Sequence, residues 1–131
     1  MTTGPGRVHG EQRATVDLSP EEVYAILAHP YRRYVIAYLH QQRRPIALDD
    51  LIVKVAAWEQ DTAVSEVDTG VREQIGLALY HTHLPKLADA DLLEYRRRPD
   101  GDEVELTANI EPLKPSLRAE LDEEFQEFYT T

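Results

Sequence analysis

No cysteine occurs among the 131 residues of this chain, which excludes disulfides, thiolate metal sites and thiol nucleophiles. No apolar run approaches the roughly 20 residues that a membrane-spanning helix needs. The N-terminus, Met1-Thr2-Thr3-Gly4-Pro5-Gly6, lacks the apolar centre of a signal peptide. These absences predict a soluble, cytoplasmic protein. Lysine is scarce as well: of 14 basic residues only Lys54, Lys86 and Lys114 are lysines, against 24 acidic residues and a formal net charge of -10. An acidic surface that keeps arginine over lysine fits adaptation to multimolar salt, where carboxylates hold water and ions.

Motifs of catalysis are missing too. There is no Gly-rich phosphate loop, no Gly-x-Ser-x-Gly elbow and no His-Glu-x-x-His. The paired acids fall on solvated faces, so no enzyme and no catalytic residue is expected. His81 and His83 are two apart, which on a helix points them about 200° apart and keeps them from one ion. His29 and His40 are poorly spaced as well. No metal and no cofactor is expected.

What remains is a chain with 42% hydrophobic residues, enough for one small core. Residues 1–14 have no periodicity and are expected to be a flexible arm. Residues 15–110 are expected to form one domain, and 111–131 a C-terminal helix. The acid is unevenly placed. Residues 102–131 hold nine acidic residues against two basic ones, and 49–70 hold six against one.

Periodicity places the elements. Ser19-Pro20-Glu21-Glu22 is a capping box with proline at the first helical position, opening a helix that carries Val23, Ile26 and Leu27. A second helix runs from about Tyr31 to Gln42 with Val35, Ile36 and Leu39 on one face. Pro45-Ile46-Ala47 is a short extended link. Leu48, Leu51, Ile52, Val55 and Ala56 then mark a helix over about 48–59. After an acidic loop at 60–70, a long helix covers Val71 to Asp89 and has two apolar sides. A uniform 100° step gathers Leu77, Tyr80, Leu84, Leu87 and Ala88 on the side expected to be core. It sets Val71, Ile75, Ala78, Leu79, Thr82 and Lys86 opposite. Pro85 removes one hydrogen bond and predicts a kink. Asp100-Gly101 is a two-residue hairpin turn signal. Pairing across it sets Arg98 opposite Glu103, Arg97 opposite Val104 and Arg96 opposite Glu105. A last helix from about Ser116 to Tyr129 carries a narrow stripe of Leu117, Leu121, Phe125 and Phe128.

The segment YHTHLPKLADADLLEY at Tyr80–Tyr95 and the segment HPYRRYVIAYL at His29–Leu39 carry a resemblance. From Pro30 to Thr107 the chain resembles the winged helix-turn-helix domain of ArsR-like transcription regulators. It looks most like a haloarchaeal winged-helix family without an assigned role. The family's pattern falls on His83-Leu84, Leu87, Ala90-Asp91 and Leu92-Leu93. Departures are Asp91 at a usual glycine, Pro85 inside the recognition helix, and a longer acidic loop. The resemblance implies a mainly α fold with a small β-hairpin wing, a winged helix-turn-helix with an additional C-terminal helix. It also implies a DNA-binding regulator of double-stranded DNA.

On the residues themselves, His81, Thr82, His83 and Lys86 of the long helix are candidate groove contacts, and Arg96, Arg97 and Arg98 candidate wing contacts. Arg32 and Arg33, with Arg43 and Arg44, bracket the second helix as candidate backbone contacts. Two readings stay open for His83, a DNA contact or a structural histidine at the core edge. Leu117, Leu121, Phe125 and Phe128 either form a homodimer interface or fold back on their own domain. An adaptor that binds protein without touching DNA is the alternative function, and the net charge favours it.

Overall fold

A capped start, an internal histidine-proline break and a left-handed stop divide the first half of the chain into three helices. In a computed structural model, residues 18–115 are described. Helix α1 is Pro20–Leu27; Ser19 Oγ accepts from the Glu22 amide, and the Glu22 carboxylate accepts from the Ser19 amide. Helix α2, Pro30–Gln42, is capped by His29, whose Nδ1 accepts from the Tyr31 amide at 3.1 Å. It ends at Arg43, which is left-handed at φ 59°. Strand β1 is Ile46–Ala47 and α3 is Leu48–Gln60, ended by left-handed Asp61. The acidic loop holds a single 3-10 turn, Val64–Glu66. Asp68 then caps α4, Thr69–Ala78.

Strands β2 (Leu93–Arg96) and β3 (Glu103–Leu106) form the hairpin, and β1 joins on the far side of β3. The sheet is antiparallel in the order β1-β3-β2. The fold is therefore mainly helical with a small β wing, as expected. A 3-10 helix at Ala108–Leu113 follows the wing. The N-terminal arm at 1–14 and the stripe Leu117, Leu121, Phe125 and Phe128 lie outside the described residues. Among the described residues, no helix is long and apolar enough to cross a membrane.

The core is built from Val35, Ile36 and Leu39 of α2, Leu51 and Val55 of α3, and Ile75 and Leu79 at the following helix, closed by Leu93 and Val104 of the sheet. Gly76 brings α4 against α3: a Cβ there would meet Ile52 Cδ1 at 3.3 Å.

Two expectations about the second half are corrected. The long helix is not uniform. Between α4 and α5 (Leu84–Asp89) lies one π turn, Leu79–His83, in which the Leu84 amide reaches back to the Leu79 carbonyl. A π turn carries one extra residue, so the apolar face changes phase across it. The expected core set is accordingly wrong in its first half: Leu77 is 61% and Tyr80 36% exposed, while Ile75 and Leu79 are buried. Skipping one residue within the π turn puts Ile75, Leu79, His83, Leu84 and Leu87 at i, i+4, i+7, i+8 and i+11, a regular helical stripe. The turn also resolves Pro85. In a regular helix its missing amide and its ring would both disrupt the preceding turn; here it stands in the first turn of α5, where no amide is needed.

The second correction concerns the wing tip. The observed register pairs Leu93 with Leu106, Tyr95 with Val104 and Arg96 with Glu103, two residues away from the expected one. The tight turn is Arg98–Gly101, with the Gly101 amide bonded to the Arg98 carbonyl at 3.1 Å. Pro99 and Asp100 are its central residues, because proline's fixed φ suits the second position of such a turn and glycine the fourth. Gly101 itself has φ 127°. A two-residue slip preserves strand alternation, so every side chain keeps the face it was expected to have.

Candidate nucleic-acid interface

The π turn has an inner and an outer side, and the candidate residues divide between them. Inside, His83 is only 5% exposed. Its Nδ1 stands 2.9 Å from a terminal nitrogen of Arg32, also buried. A guanidinium only donates, so Nδ1 accepts and the imidazole proton belongs on Nε2. The rest of the Arg32 guanidinium donates to the carbonyls of Ile26 at 2.7 Å and Ala25 at 3.0 Å. Arg33 donates to the Leu27 carbonyl at 2.7 Å. These carbonyls end α1, and cations are favoured at a helix C-terminus.

Arg32, Arg33 and His83 therefore join α1, α2 and the π turn from within. Arg32 and His83 present no surface to a groove, and His83 is the structural histidine of the two readings. The sequence offers Arg32 and Arg33 as candidate DNA-backbone contacts because nothing local marks a guanidinium as a cap for the preceding helix.

This interior cluster is crowded with rings. The His29 and His83 centroids are 4.2 Å apart, and Tyr31 lies edge-on to both. Burial, then the His29 and Arg32 charges, lowers the His83 pKa to about 4. Burial and the neighbouring arginines hold His29 below its ordinary value, against a weaker pull upward from Glu59. Both imidazoles are thus neutral near pH 7.

Outside, the extra residue of the π turn pushes three consecutive side chains to the surface. Tyr80, His81 and Thr82 are all exposed, and Lys86 lies one turn further on. Together they offer a phenol, an imidazole, a hydroxyl and an ammonium, groups that bond base edges or phosphates. Tyr80 was missed by the sequence reading because a uniform step placed it in the core.

The wing meets this surface through Arg97. Its guanidinium donates to the Tyr80 hydroxyl at 3.3 Å and lies 6.0 Å and 5.8 Å from the Tyr80 and Tyr95 ring centroids. Tyr95 in turn donates to the Asp102 carboxylate at 2.7 Å, and burial with that bond pushes its pKa up. The other wing arginines are neutralised on the opposite face. Arg96 bonds Glu94 at 2.6 Å and Glu105 at 3.0 Å, and Arg98 bonds Glu103 at 2.7 Å. Of the triplet only Arg97 touches the helix. Exposed pairs of this kind are weak in water and open readily.

Asp91, at the usual glycine position of the resemblance, has φ 63°. Its carbonyl accepts from Thr107 Oγ1 at 2.8 Å and Asn109 Nδ2 at 2.9 Å. Aspartate tolerates this left-handed geometry better than most residues. Among the described residues, no group of three or more histidines and carboxylates is placed to hold a metal ion.

A family model described as "Domain of unknown function (DUF7344)" matches residues 24–103, more than half of the chain, and the chain belongs to that family. The matched span runs from within α1 to the first residue of β3 and includes the whole π turn. No curated protein and no solved structure matches the chain.

Proposed function

We propose that this member of the DUF7344 family is a DNA-binding transcription regulator of the winged helix-turn-helix type, cytoplasmic and homodimeric. The observation that carries the reading is the outer side of the π turn. There, Tyr80, His81 and Thr82 stand exposed in a row on the chain's longest helical run, beside a β wing. A single π turn in an otherwise regular helix is a frequent mark of functional sites. In this reading the helix enters the major groove of double-stranded DNA through these three residues, and Lys86 meets a phosphate. Arg97 aligns the wing on the helix, while Arg96 and Arg98 exchange glutamate for flanking phosphate. Leu117, Leu121, Phe125 and Phe128 would pair two copies, matching the two-fold symmetry of an operator. In a salt-rich cytoplasm counterion release gains little, so base contacts carry more of the affinity than phosphate contacts.

DNA capture and sequencing with the purified chain, at high and at moderate KCl, tests this. Enrichment of one sequence, lost in a His81→Ala/Thr82→Ala variant that still folds, is the expected result. No enrichment at either salt, together with unchanged transcripts in Lys86→Glu cells, removes the reading.

The second reading, a protein-binding adaptor, is favoured by one observation of its own. Leu77 at 61% exposure and the half-exposed Tyr80 form an apolar patch beside the turn, in a chain of net charge -10. A Leu77→Glu variant separates the two. The substitution abolishes adaptor binding, whereas a DNA reader keeps its sequence preference.

A further inference from the structure

We propose that the groove between the end of α2 and residues 105–114 is a binding site for a small polyanion, a molecule carrying two or more carboxylate or phosphate groups. The cavity measures about 370 Å3, and Arg43, Arg44, His40 and Lys114 bring basic side chains to its lining. Such a volume fits a small molecule.

Charge balance in the groove points the same way. Its two acids are already held: Glu105 by Arg96 at 3.0 Å and Glu111 by Lys114 at 3.1 Å. Arg43 and Arg44 make no side-chain hydrogen bond or ion pair among the described residues. The guanidiniums of Arg32, Arg33, Arg96, Arg97 and Arg98 are all engaged, by carbonyls, His83, glutamates or Tyr80. Two adjacent guanidiniums without an acid partner among the described residues thus share one groove in a chain of net charge -10. The carbonyl end of α2 opposes an anion with about half a charge, which two full cations outweigh.

Backbone geometry adds an independent sign. Arg43 ends α2 at φ 59°, a position that glycine or asparagine ordinarily fills. An arginine held there at a conformational cost suggests use of its side chain, as strained residues cluster at binding sites. Arginine also supplies the planar fork that matches carboxylate and phosphate alike.

The site stands apart from the DNA reading and does not depend on it. None of Tyr80, His81, Thr82 and Lys86 lines the groove, which lies at the root of the wing away from its tip.

Calorimetric titration of the full chain with citrate and, separately, with inorganic pyrophosphate in moderate KCl tests the proposal. One anion per chain should bind saturably, and the stronger of the two identifies a carboxylate or a phosphate ligand. Arg43→Gly and Arg44→Gln should each weaken binding about tenfold or more. Glycine suits the left-handed position, so the melting temperature of Arg43→Gly should hold or rise, which separates lost binding from lost folding. Saturation by neither anion overturns the proposal, as does equal affinity in the variants. If duplex DNA displaces the anion and the same variants lose DNA binding, the groove is a DNA-backbone contact and the small-ligand site is refuted.

Discussion

Helix α2 carries an arginine pair near each end, and the two pairs have opposite fates. Arg32 and Arg33 turn inward and close the carbonyl end of α1, with Arg32 also meeting His83. Arg43 and Arg44 line a groove and make no side-chain hydrogen bond or ion pair among the described residues. The dipeptides are identical, so the difference comes from what the fold brings near. At the N-terminal end, the His29-Pro30 break folds α1 back so that its unpaired carbonyls face α2. At the C-terminal end, the chain leaves in a left-handed residue and no helix end among the described residues offers its carbonyls to the side chains. One pair holds the structure together; the other, among the described residues, lines a groove.

Removing the inner pair should have the largest effect. Arg32→Ala leaves carbonyls and His83 without a donor and should cost roughly 2–4 kcal/mol of stability in a urea titration. Arg32→Lys should recover little of it, since an ammonium cannot reproduce the fork. A cost below about 0.5 kcal/mol would mean the inner pair is no more structural than the outer.

Next in size is acidification. The His83 pKa falls from an unfolded value of 6.5 to about 4 in the fold. Between those values the unfolded chain binds more protons than the folded one, so stability falls as pH drops from 6.5 towards 4 and is fully present above 6.5. The His83 contribution is up to roughly 3 kcal/mol. His29, also held low, adds to it in the same direction. His83→Asn keeps an acceptor for Arg32 without titrating in this range. It should flatten the pH dependence of the denaturation midpoint; an unchanged slope would place the sensitivity elsewhere.

Deletion of Thr82 should move stability by less than about 1 kcal/mol, because it turns the π turn into a regular helix while Ile75, Leu79, His83, Leu84 and Leu87 keep one stripe. The outer surface would lose its row of three residues, so DNA capture should fail in a chain that melts normally. Smallest is Arg43→Gly, which should raise stability by about 0.5–1 kcal/mol by relieving the left-handed arginine. A loss instead would show that Arg43 is engaged after all.

Much of the fold was legible because its signals are local. The capping box at Ser19, the helix from Leu48, the extended Ile46-Ala47 and the alternation of the wing all depend on neighbours a few residues apart. The π turn was not, because a fixed angular step cannot register one inserted residue. The trace it left was the appearance of two apolar sides on one helix, where a single stripe had changed phase. Pro85 marked the place without saying how the helix would adapt. Of the candidate site, His81, Thr82 and Lys86 are exposed as expected. Arg32 and His83 were misjudged because their partnership spans 51 positions, beyond any local pattern. The pairing of Arg96 and Arg98 with Glu105 and Glu103 holds in spite of the slipped register, since long side chains reach diagonal neighbours.

The sheet order has a mechanical meaning for the wing. Its returning strand, β3, is central, flanked on one side by β2 and on the other by β1, whose last residue abuts α3. The Leu48 amide at the start of α3 also bonds the Asp102 carbonyl at 2.8 Å, just beneath the tip. A hairpin whose returning strand is paired along both of its edges cannot swing like a door. Whatever surface it meets, its stem travels rigidly with α3, and the compliance lies in the short cap from Arg97 to Gly101. Variation in that cap would retune contact while leaving the domain behind it unmoved.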